Sequence, residues 1–374
     1  MRVAFDATFA LSPRTGVGTF ADQVLTRLAR RPDTDVVAYA VAWRQHRAVA
    51  EALPPGVEVA ARCDLLSPRH TRALWKRSDF PPIEAVTGAV DVVHSPNYVV
   101  APARRAAMVV TVHDLTFVRY PELCTDDTRG FPPLIQRAID RGAWVHAVSS
   151  SVAAEIVEDF AVDPDRVVVI PNATDPVPAA DPGLGHRLAG TERYVLALGT
   201  VEPRKNLARL VGAWDRLADD DPELGLVVAG AEGWGAAELH GALAVARHPE
   251  RIVRLGWVSV DQRAALLRGA AVLAYPSLYE GFGIPPLEAM SVGTPVVAGR
   301  AGALPETCGD AAVLVDPHDV EALAGALDAV LGDDDLAEDL RRRGLERVAE
   351  FSWDDTTDRL VALYERAVAD GGRR

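Results

Sequence analysis

The arrangement of apolar residues along the chain is the feature that most restricts its fold. Short runs rich in Val, Ile and Ala alternate with helix-length amphipathic stretches, which is the pattern of strand-helix units that build a parallel sheet. In the stretch from about Gly18, for example, Phe20, Val24 and Leu28 recur every four residues and form one apolar stripe of a helix. The alternation predicts an α/β fold. The predicted strands lie near residues 2–7, 35–42, 90–94, 107–112, 143–148, 166–170, 193–198, 224–229, 252–256, 271–275, 295–298 and 312–315.

The alternation is interrupted by PNATDPVPAADPGLG (171–185), which is too rich in Pro, Asp and Gly to sustain a helix or a central strand. We therefore predict a first domain at 1–172, a linker at 173–191 and a second domain at 192–350. Residues 351–374 are predicted to end the chain as a helix that docks on one of the two domains. A chain of 374 residues agrees with two hydrophobic cores.

The charge of the chain restricts its partners. With 53 acidic and 39 basic residues the net charge is −14, which repels nucleic acid and anionic lipid at long range, so no nucleic-acid partner is predicted. An anionic ligand would need a local positive site. Cys63, Cys124 and Cys308 lack the paired spacing of a disulfide framework or a zinc site. Without a signal peptide or a membrane-spanning run, the protein is expected to be cytoplasmic, while peripheral membrane contact stays open.

The segment YEGFGIPPLE (279–288) is the most informative of the predicted strand exits, where parallel sheets bind their ligands. Pro285 and Pro286 suit the first turn of a helix, because a missing amide hydrogen costs little there. Gly281 and Gly283 allow the backbone to approach a ligand closely, and the first-turn amides and the helix dipole favour an anion. The segment therefore predicts an anion site at a helix N-terminus.

Two glutamates bracket this predicted anion site. Glu280 precedes the helix, and Glu288, expected in its first turn, should point back towards the same end. A carboxylate can accept hydrogen bonds from adjacent sugar hydroxyls. The alternative is a turn whose glutamates are solvated or cap the helix, and it would be favoured for isolated glutamates. The position at a strand exit favours the ligand site.

Arg204 and Lys205 provide the local positive charge that an anionic ligand needs. They follow the strand predicted at 193–198 and precede a helix that starts near Asn206. Two fixed cations can hold a diphosphate and stabilise it as a leaving group, as a divalent metal does in other enzymes. An isolated Arg-Lys pair is usually exposed surface, so the prediction depends on the strand exit.

Two features of the first half are less specific. TGVGTF (15–20) and Ala21 have the GxGxxA spacing of a dinucleotide fingerprint, but the glycines lie several residues beyond the first strand and the second strand lacks the acidic end. We interpret Gly16 and Gly18 as a loop that approaches a phosphate from the opposing domain. His113 follows a predicted strand and is either a contact or proton carrier for the reacting group or a hydrogen-bonded core histidine.

Four acidic runs resemble the Asp-x-Asp pairs of metal-dependent enzymes that transfer sugars. They lie before predicted strands or at helix ends, in contexts typical of turns and caps. No metal site is predicted. The runs are DTD (33–35), DPD (163–165) and the DDD triplets at 219–221 and 333–335.

In combination, these motifs resemble those of the family 4 glycosyltransferases. The resemblance rests on GTVEPRKN (199–206), the Glu-x7-Glu of EGFGIPPLE, the TGVG loop and His113-Asp114, and it extends over essentially the whole chain to FSW (351–353). It implies the GT-B fold, in which two Rossmann-like domains face each other across a cleft. EPRKN, SLYEGFGIPPLEAM and HDLTF are closest to the mannosyltransferase-like branch associated with polysaccharide and O-antigen assembly.

The resemblance implies a role for each matching residue. Glu280 would contact hydroxyls of the donor sugar, and Glu288 would contact the ribose of the nucleotide. Arg204 and Lys205 would hold the diphosphate without the additional arginine that some relatives carry upstream. The remaining implied contacts are the backbone amides of Phe282, Gly283 and Ile284 near phosphate and sugar, Gly16 and Gly18 on the phosphates, and His113 at the reaction centre.

The resemblance implies retaining, metal-independent transfer of a hexose from a nucleoside-diphosphate sugar, with mannose from GDP-mannose suggested by the branch. No other cofactor is expected. The acceptor is a glycan, a lipid-linked molecule or a small molecule, which we expect to contact residues 115–141. A nucleotide-sugar epimerase, a sugar-phosphate phosphorylase and a non-catalytic nucleotide-sugar-binding protein remain alternatives, and an NAD oxidoreductase is the weakest one.

Overall fold

A computed structural model describes residues 1–11, 16–41, 46–60 and 68–371. Its contacts divide the chain into two compact units. Unit 1 comprises Met1–Asn172 and Trp353–Arg374, and unit 2 comprises Ala173–Ser352. Unit 1 is therefore built from two separate segments of the chain, whereas unit 2 is continuous.

Unit 1 contains a sheet of seven parallel strands in the order β3-β2-β1-β4-β5-β6-β7. The strands are β1 (Arg2–Asp6), β2 (Asp35–Tyr39), β3 (Glu58–Val59), β4 (Val92–Ser95), β5 (Ala107–Val112), β6 (Trp144–Ala147) and β7 (Val167–Val169). Its helices are α1 (Gly16–Leu28), α2 (His46–Ala52), α3 (Pro68–Trp75), α4 (Glu84–Thr87), α5 (Thr116–Arg119), α6 (Pro132–Asp140), α7 (Ser150–Asp159) and, from the end of the chain, α16 (Trp353–Gly371). Short 3-10 helices lie at Thr8–Leu11, Pro121–Leu123, Thr128–Gly130 and Pro164–Arg166.

Unit 2 contains a sheet of six parallel strands in the order β10-β9-β8-β11-β12-β13. The strands are β8 (Arg193–Leu198), β9 (Leu224–Ala229), β10 (Ile252–Gly256), β11 (Val272–Tyr275), β12 (Val296–Gly299) and β13 (Val313–Val315). The helices are α8 (Pro182–Ala189), α9 (Leu207–Leu217), α10 (Ala236–Val245), α11 (Val260–Gly269), α12 (Ile284–Ser291), α13 (Leu304–Cys308), α14 (Val320–Gly332) and α15 (Asp334–Val348). Two 3-10 helices lie at Pro203–Lys205 and Pro249–Arg251.

The two parallel sheets confirm the predicted α/β class, and each of the twelve predicted strands has a counterpart. One strand was not predicted, and one local expectation was wrong. The two-residue strand β3 has too few residues to show a periodic pattern. Helix α8 begins at Pro182, inside the segment expected to contain no helix. Proline is compatible with a first turn, and the carboxylate of Asp181 caps the helix by accepting from the amide of Gly183 at 2.9 Å.

A chain of hydrogen bonds runs through the core of unit 1 and joins α16 to the sheet. His146 Nε2 donates to the carbonyl of Ile170 at 2.8 Å, so its Nδ1, 3.0 Å from Thr111 Oγ1, accepts from that hydroxyl. Thr111 in turn accepts from His94 Nε2 at 2.8 Å, and His94 Nδ1 accepts from the hydroxyl of Tyr364 at 2.6 Å. Each donor thus has one acceptor, and both histidines are neutral in this arrangement.

The burial of these groups agrees with the neutral arrangement. His94, Thr111 and His146 are fully buried. Burial lowers the pKa of His94 well below its usual value, and the neighbouring imidazoles lower it further. Burial also lowers the pKa of His146, to about 3, despite its hydrogen bond to Ile170. The histidines therefore form part of the core of unit 1 at neutral pH.

Within the described residues, no helix is both long enough and apolar enough to cross a membrane. Cys124 and Cys308 are free thiols. Cys63 lies outside the described residues, as does Thr15 of the TGVGTF segment.

Candidate functional site

The site residues of unit 2 gather where its strand order reverses direction. β8 lies between β9 and β11, so successive strands extend to one side up to β10 and to the other side from β11. A crevice forms at such a switch point, outside the carboxyl ends of the two central strands. The segment after β8 carries Arg204 and Lys205, and the segment after β11 carries Glu280 and leads into α12.

Asn206 ties these two segments together. Its backbone is left-handed, with φ of 60°, and its side chain is 2% exposed. The amide nitrogen Nδ2 donates to the carbonyls of Pro276 at 3.0 Å and Pro317 at 2.6 Å, which follow β11 and β13. In addition, the amide of Leu278 donates to the carbonyl of Arg204 at 2.8 Å. The two cations and Glu280 are therefore carried on loops that are fixed to each other.

Glu280 bridges the two cations. Its Oε2 lies 2.7 Å from Arg204 Nη1, and its Oε1 lies 2.6 Å from Lys205 Nζ. Arg204 Nε also pairs with Glu202 at 2.9 Å, and Lys205 Nζ donates to the hydroxyl of Tyr275 at 2.5 Å. The four charged side chains are all less than one-fifth exposed and their formal charges cancel. The sequence did not predict that Arg204 and Lys205 would already be paired with carboxylates of the protein.

The electrostatics of this cluster keep Glu280 ionised. Burial alone would raise the pKa of its carboxyl group, but the charges of Arg204 and Lys205 outweigh burial and lower the pKa to about 2. Burial lowers the pKa of Lys205, an effect that the carboxylate of Glu280 partly offsets. Burial also raises the pKa of Tyr275 well above its usual value, so its hydroxyl stays protonated. The cluster is a buried, charge-balanced group of two cations and two carboxylates.

The N-terminus of α12 provides a second group of donors next to Glu280. The helix begins at Ile284, preceded by Gly283 with a left-handed backbone of φ 107°. Pro285 and Pro286 follow in the first turn, as predicted, and have no amide hydrogen. Among the described residues, none accepts a hydrogen bond from the amides of Phe282, Gly283 or Ile284. These three amides are available to an anion.

The backbone of Glu280 is fixed by the turn before α13. The amide of Ala303 donates to the carbonyl of Glu280 at 2.8 Å. Gly302 lies against the same carbonyl, and a Cβ added there would come within 2.3 Å of the oxygen. Glu280 is therefore held at two points. Its side chain forms ion pairs with the cations, and its backbone is fixed by this turn.

Glu288 occupies a different position from the one expected. It is the fifth residue of α12, so the expectation that it lies in the first turn was wrong. The Pro-Pro pair allows the helix to start at Ile284 rather than at the prolines, which moves Glu288 one position further along. Its carboxylate pairs with the guanidinium of Arg263 on α11. The two glutamates thus have separate cationic partners.

The glycines of GAEGWG (230–235) are required by close contacts with the backbone of the neighbouring loop. Gly230 has φ of 154°, and a Cβ there would lie 1.9 Å from the carbonyl oxygen of Gly199. Cβ atoms at Gly233 and Gly235 would come within 2.7 Å of the backbone at Val201 and Glu202. The exits of β8 and β9 therefore pack backbone to backbone behind Arg204 and Lys205, which only glycine allows.

His113 is a buried residue of unit 1, with 9% of its surface exposed. Its Nε2 donates to the carbonyl of Pro96 at 2.6 Å, and its ring packs edge-on against Phe20 with centroids 5.2 Å apart. Burial lowers its pKa, although Pro96 and Asp114 act in the opposite direction. A neutral ring with Nε2 engaged favours a polar contact through Nδ1 over proton transfer by a charged imidazolium.

Gly16 and Gly18 are the first and third residues of α1, so the helix begins two residues earlier than predicted. A Cβ at Gly16 would meet no atom within 4 Å. Gly18 is buried within the helix. The structure thus places both glycines at a helix N-terminus in unit 1, and their contact with phosphates stays a prediction.

Some residues of the acidic runs serve as caps and turns, whereas Asp33 and Asp219 form side-chain ion pairs. Asp163 accepts from the amide of Asp165 at 3.0 Å, and Asp333 caps α15 by accepting from Leu336 at 3.0 Å. Asp221 accepts from the amide of Glu223 at 3.1 Å. Over the described ranges, no group of three or more His, Cys, Asp or Glu side chains is arranged to hold a metal ion.

Several residues of the site were not predicted from the sequence. Glu202, Tyr275 and Arg263 contact predicted site residues, and Asn206 was assigned only as the start of a helix. Glu202 was within reach of sequence reasoning, because it lies two residues before Arg204 in the same loop. Tyr275 and Arg263 meet their partners only through the sheet order and helix packing. No short-range signal in the sequence indicates these contacts.

Comparisons with known proteins cover both units. The family model "Glycosyl transferases group 1" matches residues 185–347, and the model "Glycosyltransferase Family 4" matches residues 14–177. The chain is 32% identical over 309 residues to an O-antigen chain mannosyltransferase B of Escherichia coli, covering 80% of this chain and 78% of the relative. It is 35% identical over 249 residues to an MMP alpha-(1->4)-mannosyltransferase of Mycolicibacterium hassiacum, covering 64% of this chain and 58% of the relative.

Among solved structures, a sucrose-phosphate synthase from Thermosynechococcus elongatus is similar over 99% of both chains, with a TM-score of 0.79 and 21% sequence identity. At this identity the likeness concerns the fold. It confirms the predicted fold class with two Rossmann-like domains.

Proposed function

Since this chain belongs to the family 4 glycosyltransferases, we propose that it transfers a hexose from a nucleoside-diphosphate sugar bound in unit 2 to an acceptor hydroxyl, with retention of anomeric configuration. The observation that carries the proposal is the buried cluster of Arg204, Lys205 and Glu280 at the switch point of the sheet. It combines the two kinds of group that a sugar diphosphate needs, namely cations for phosphate and a carboxylate for hydroxyls.

In the proposed complex, the diphosphate replaces Glu280 as the anion on Arg204 and Lys205. The amides of Phe282, Gly283 and Ile284 donate to the same phosphates at the N-terminus of α12. Glu280 is then released from the cations and accepts hydrogen bonds from hydroxyls of the hexose, while Glu288 accepts from the ribose. The exchange leaves each charged group of the cluster with a partner.

The cations assist the reaction through the leaving group. When the bond between the sugar and the diphosphate breaks, negative charge grows on the phosphate oxygens, and Arg204 and Lys205 stabilise it without rearrangement. The acceptor hydroxyl attacks the oxocarbenium-like carbon from the face that the diphosphate leaves and passes its proton to the departing phosphate. The protein supplies both positive charges, so we propose that transfer requires no metal ion and no covalent enzyme intermediate.

The names of the relatives bear on the identity of the donor. The two relatives described above are named as mannosyltransferases, which supports mannose from GDP-mannose as the donor. The acceptor is proposed to be a glycan, a lipid-linked molecule or a small molecule that binds unit 1. His113 is proposed to contact the reacting sugar, and Gly16 and Gly18 to approach the phosphates.

The test is steady-state transfer from GDP-mannose to a panel of acceptors by purified protein. Lys205→Ala and Glu280→Ala are each expected to lower kcat by at least about 100-fold, on the scale that removal of one electrostatic group produces. Arg216→Ala is a matched control, because Arg216 forms an exposed ion pair with Glu321 between α9 and α14, 2.5 Å apart. Transfer by both site variants at the wild-type rate would contradict the proposal.

Three further measurements test the nucleotide base, the configuration of the product and the metal independence, and the pattern of products distinguishes the alternative functions. Thermal shifts against nucleoside diphosphates and their sugars identify the base, since a ligand at one hundred times its Kd adds about 2.7 kcal/mol of stability. NMR of the product gives the configuration of the new linkage, and transfer in the presence of EDTA tests the metal. An epimerase would convert the donor in the absence of acceptor, whereas a binding protein would show shifts but no product with any acceptor.

A further inference from the structure

Arg263 contacts a predicted donor residue without belonging to any motif of the sequence. It lies in the first half of α11 and pairs through Nη2 with Oε2 of Glu288 on α12. The side chains are 33% and 20% exposed. Arg263 Nε is buried and has no hydrogen-bond acceptor among the described residues. The guanidinium is thus directed to Glu288 and retains one donor that no described group satisfies.

We propose that Arg263 is a positioning residue of the donor site, which orients the carboxylate of Glu288 and thereby sets the preference for a nucleotide with ribose hydroxyls. The inference rests on the proposed function, because it assigns Glu288 to the ribose. It adds to the site a residue of α11, the helix between β10 and β11, which precedes the strand-helix unit that carries Glu288.

Arg263 lies on the well-capped first turns of α11. Helix α11 starts with a capping box, in which Ser259 Oγ accepts from the amide of Gln262 at 3.2 Å and Gln262 Oε1 accepts from the amide of Ser259 at 2.9 Å. The amide of Arg263 then donates to the carbonyl of Ser259 at 2.8 Å. The guanidinium is thus carried on a capped helical turn, and its planar Nη2 group donates in a fixed direction to Oε2 of Glu288, which the rotatable ammonium of a lysine would not do.

The two glutamates of the site have different cationic partners. Glu280 shares Arg204 and Lys205 with the incoming diphosphate, so its position depends on the ligand. Glu288 has Arg263 as a cation of its own and does not compete for the phosphate-binding pair. Without Arg263, a partly buried carboxylate would lie near the diphosphate with no counter-charge, which is unfavourable for both its orientation and the ligand. Arg263 removes this repulsion and leaves the carboxylate in place.

The test compares binding of a nucleoside diphosphate with binding of its 2′,3′-dideoxy analogue by calorimetry. The base is the one that gives the largest thermal shift, and GDP with dideoxy-GDP is the pair for the proposed donor. The wild type should prefer the ribonucleotide by about tenfold or more, the scale of one hydrogen bond to a charged group. Arg263→Ala and Glu288→Ala should both reduce the ratio towards one, and the double variant should show no further loss.

Two further variants test whether the effect is specific to the guanidinium of Arg263. Arg263→Lys keeps the charge but not the fork, and is expected to restore part of the ratio. Arg268→Ala is the matched control on the same helix, because Arg268 donates to the carbonyls of Val177 and Pro178 rather than to a site residue. Its ratio should equal that of the wild type. In transfer assays, Arg263→Ala should raise the KM for the donor at least severalfold with kcat nearly unchanged, as expected for a loss of binding alone.

Two results would overturn the inference. One is a wild-type ratio in Arg263→Ala together with a lost ratio in Glu288→Ala, which would show that Glu288 needs no partner. The other is a ratio near one in the wild type itself, which would remove Glu288 from the ribose. Neither result would contradict the proposed function, because binding of the diphosphate is tested independently with Lys205→Ala.

Discussion

Lys205 Nζ lies 2.6 Å from Glu280 Oε1, and the side chains are only 11% and 8% exposed. The carboxylate of Glu280 thereby satisfies the cation that we assign to the diphosphate of the donor. We therefore propose that binding of the donor is an exchange of anions rather than the filling of an empty positive site. Glu280 thus has two proposed roles that can be measured separately, namely competition with the diphosphate for the cations and contact with the sugar.

Glu280→Gln should raise the affinity for a free nucleoside diphosphate and lower the rate of transfer. The amide keeps the shape but removes a negative charge beside Arg204 and Lys205, so the ligand no longer competes with it. We expect Kd to fall about tenfold, equivalent to about 1.4 kcal/mol, and kcat to fall with the lost contact to the sugar. Calorimetry and steady-state kinetics measure the two effects. An unchanged or higher Kd would show that Glu280 does not compete with the diphosphate.

The hydrogen-bond chain of unit 1 predicts an order of stability among two conservative variants. Thr111→Val interrupts the chain in the middle and leaves both His94 Nε2 and His146 Nδ1 without a partner. Tyr364→Phe leaves one buried acceptor, His94 Nδ1. Each unsatisfied group costs about 1 to 3 kcal/mol, so the threonine variant should be the less stable of the two. Urea denaturation checks the order, and equal stability would contradict the directed chain.

Acid should destabilise the protein through His146. Its folded pKa is about 3, below the usual value of about 6.5 in an unfolded chain. Between these values the unfolded state binds more protons, so this contribution to stability is complete above about pH 6.5 and is lost progressively towards pH 3. The charge of Arg359 opposes protonation of His146 further, as would protonation of His113.

His146→Gln removes this titration while retaining polar atoms in the core. Denaturation between pH 7 and pH 4 should show a shallower loss of stability in the variant, by up to about 1.4 kcal/mol per pH unit for one proton. Lys76→Gln is a surface control that should leave the slope unchanged. Parallel pH profiles of the wild type and His146→Gln would contradict a neutral buried imidazole.

Gly283 and Gly241 provide a matched pair of glycine substitutions. Gly283 has φ of 107°, and its added Cβ would lie 2.7 Å from Leu304 Cδ2, so Gly283→Ala should cost about 1 to 3 kcal/mol and weaken diphosphate binding at the adjoining amides. Gly241 lies inside α10 with no atom within 4 Å of an added Cβ. Gly241→Ala should stabilise the protein by about 0.5 to 1 kcal/mol. Thermal denaturation and calorimetry distinguish the two.

The parts of the fold that the sequence predicted are those that depend on local patterns. The runs at 193–198 and 224–229 coincide with β8 and β9, because strands buried on both faces are continuous apolar runs. The helix near Trp353 was recognisable because Leu360, Leu363 and Tyr364 recur at the spacing of one helix face. β3 has two residues, and α8 begins with a proline in a segment rich in turn residues, so neither could be read from periodicity.

For the candidate site, residue types at strand exits were sufficient to select Arg204, Lys205 and Glu280, which the structure brings together. Their pairing could not be predicted, because it depends on β8 lying next to β11 although β9 and β10 come between them in the sequence. The same limit applies to Arg263 and Glu288, which are on separate helices. Sheet order, and not local sequence, decides which charges meet.

The division of unit 1 into two segments has a consequence for the order in which the newly synthesised chain can become complete. Unit 2 is continuous and has all of its strands and helices once Ser352 has been made. Unit 1 begins first but must wait for α16, which supplies the donor to His94 and the buried Leu360 and Leu363. Until then, the nascent chain exposes an apolar surface on the sheet of unit 1, of the kind that chaperones bind. We therefore expect unit 1, although it is translated first, to finish folding last.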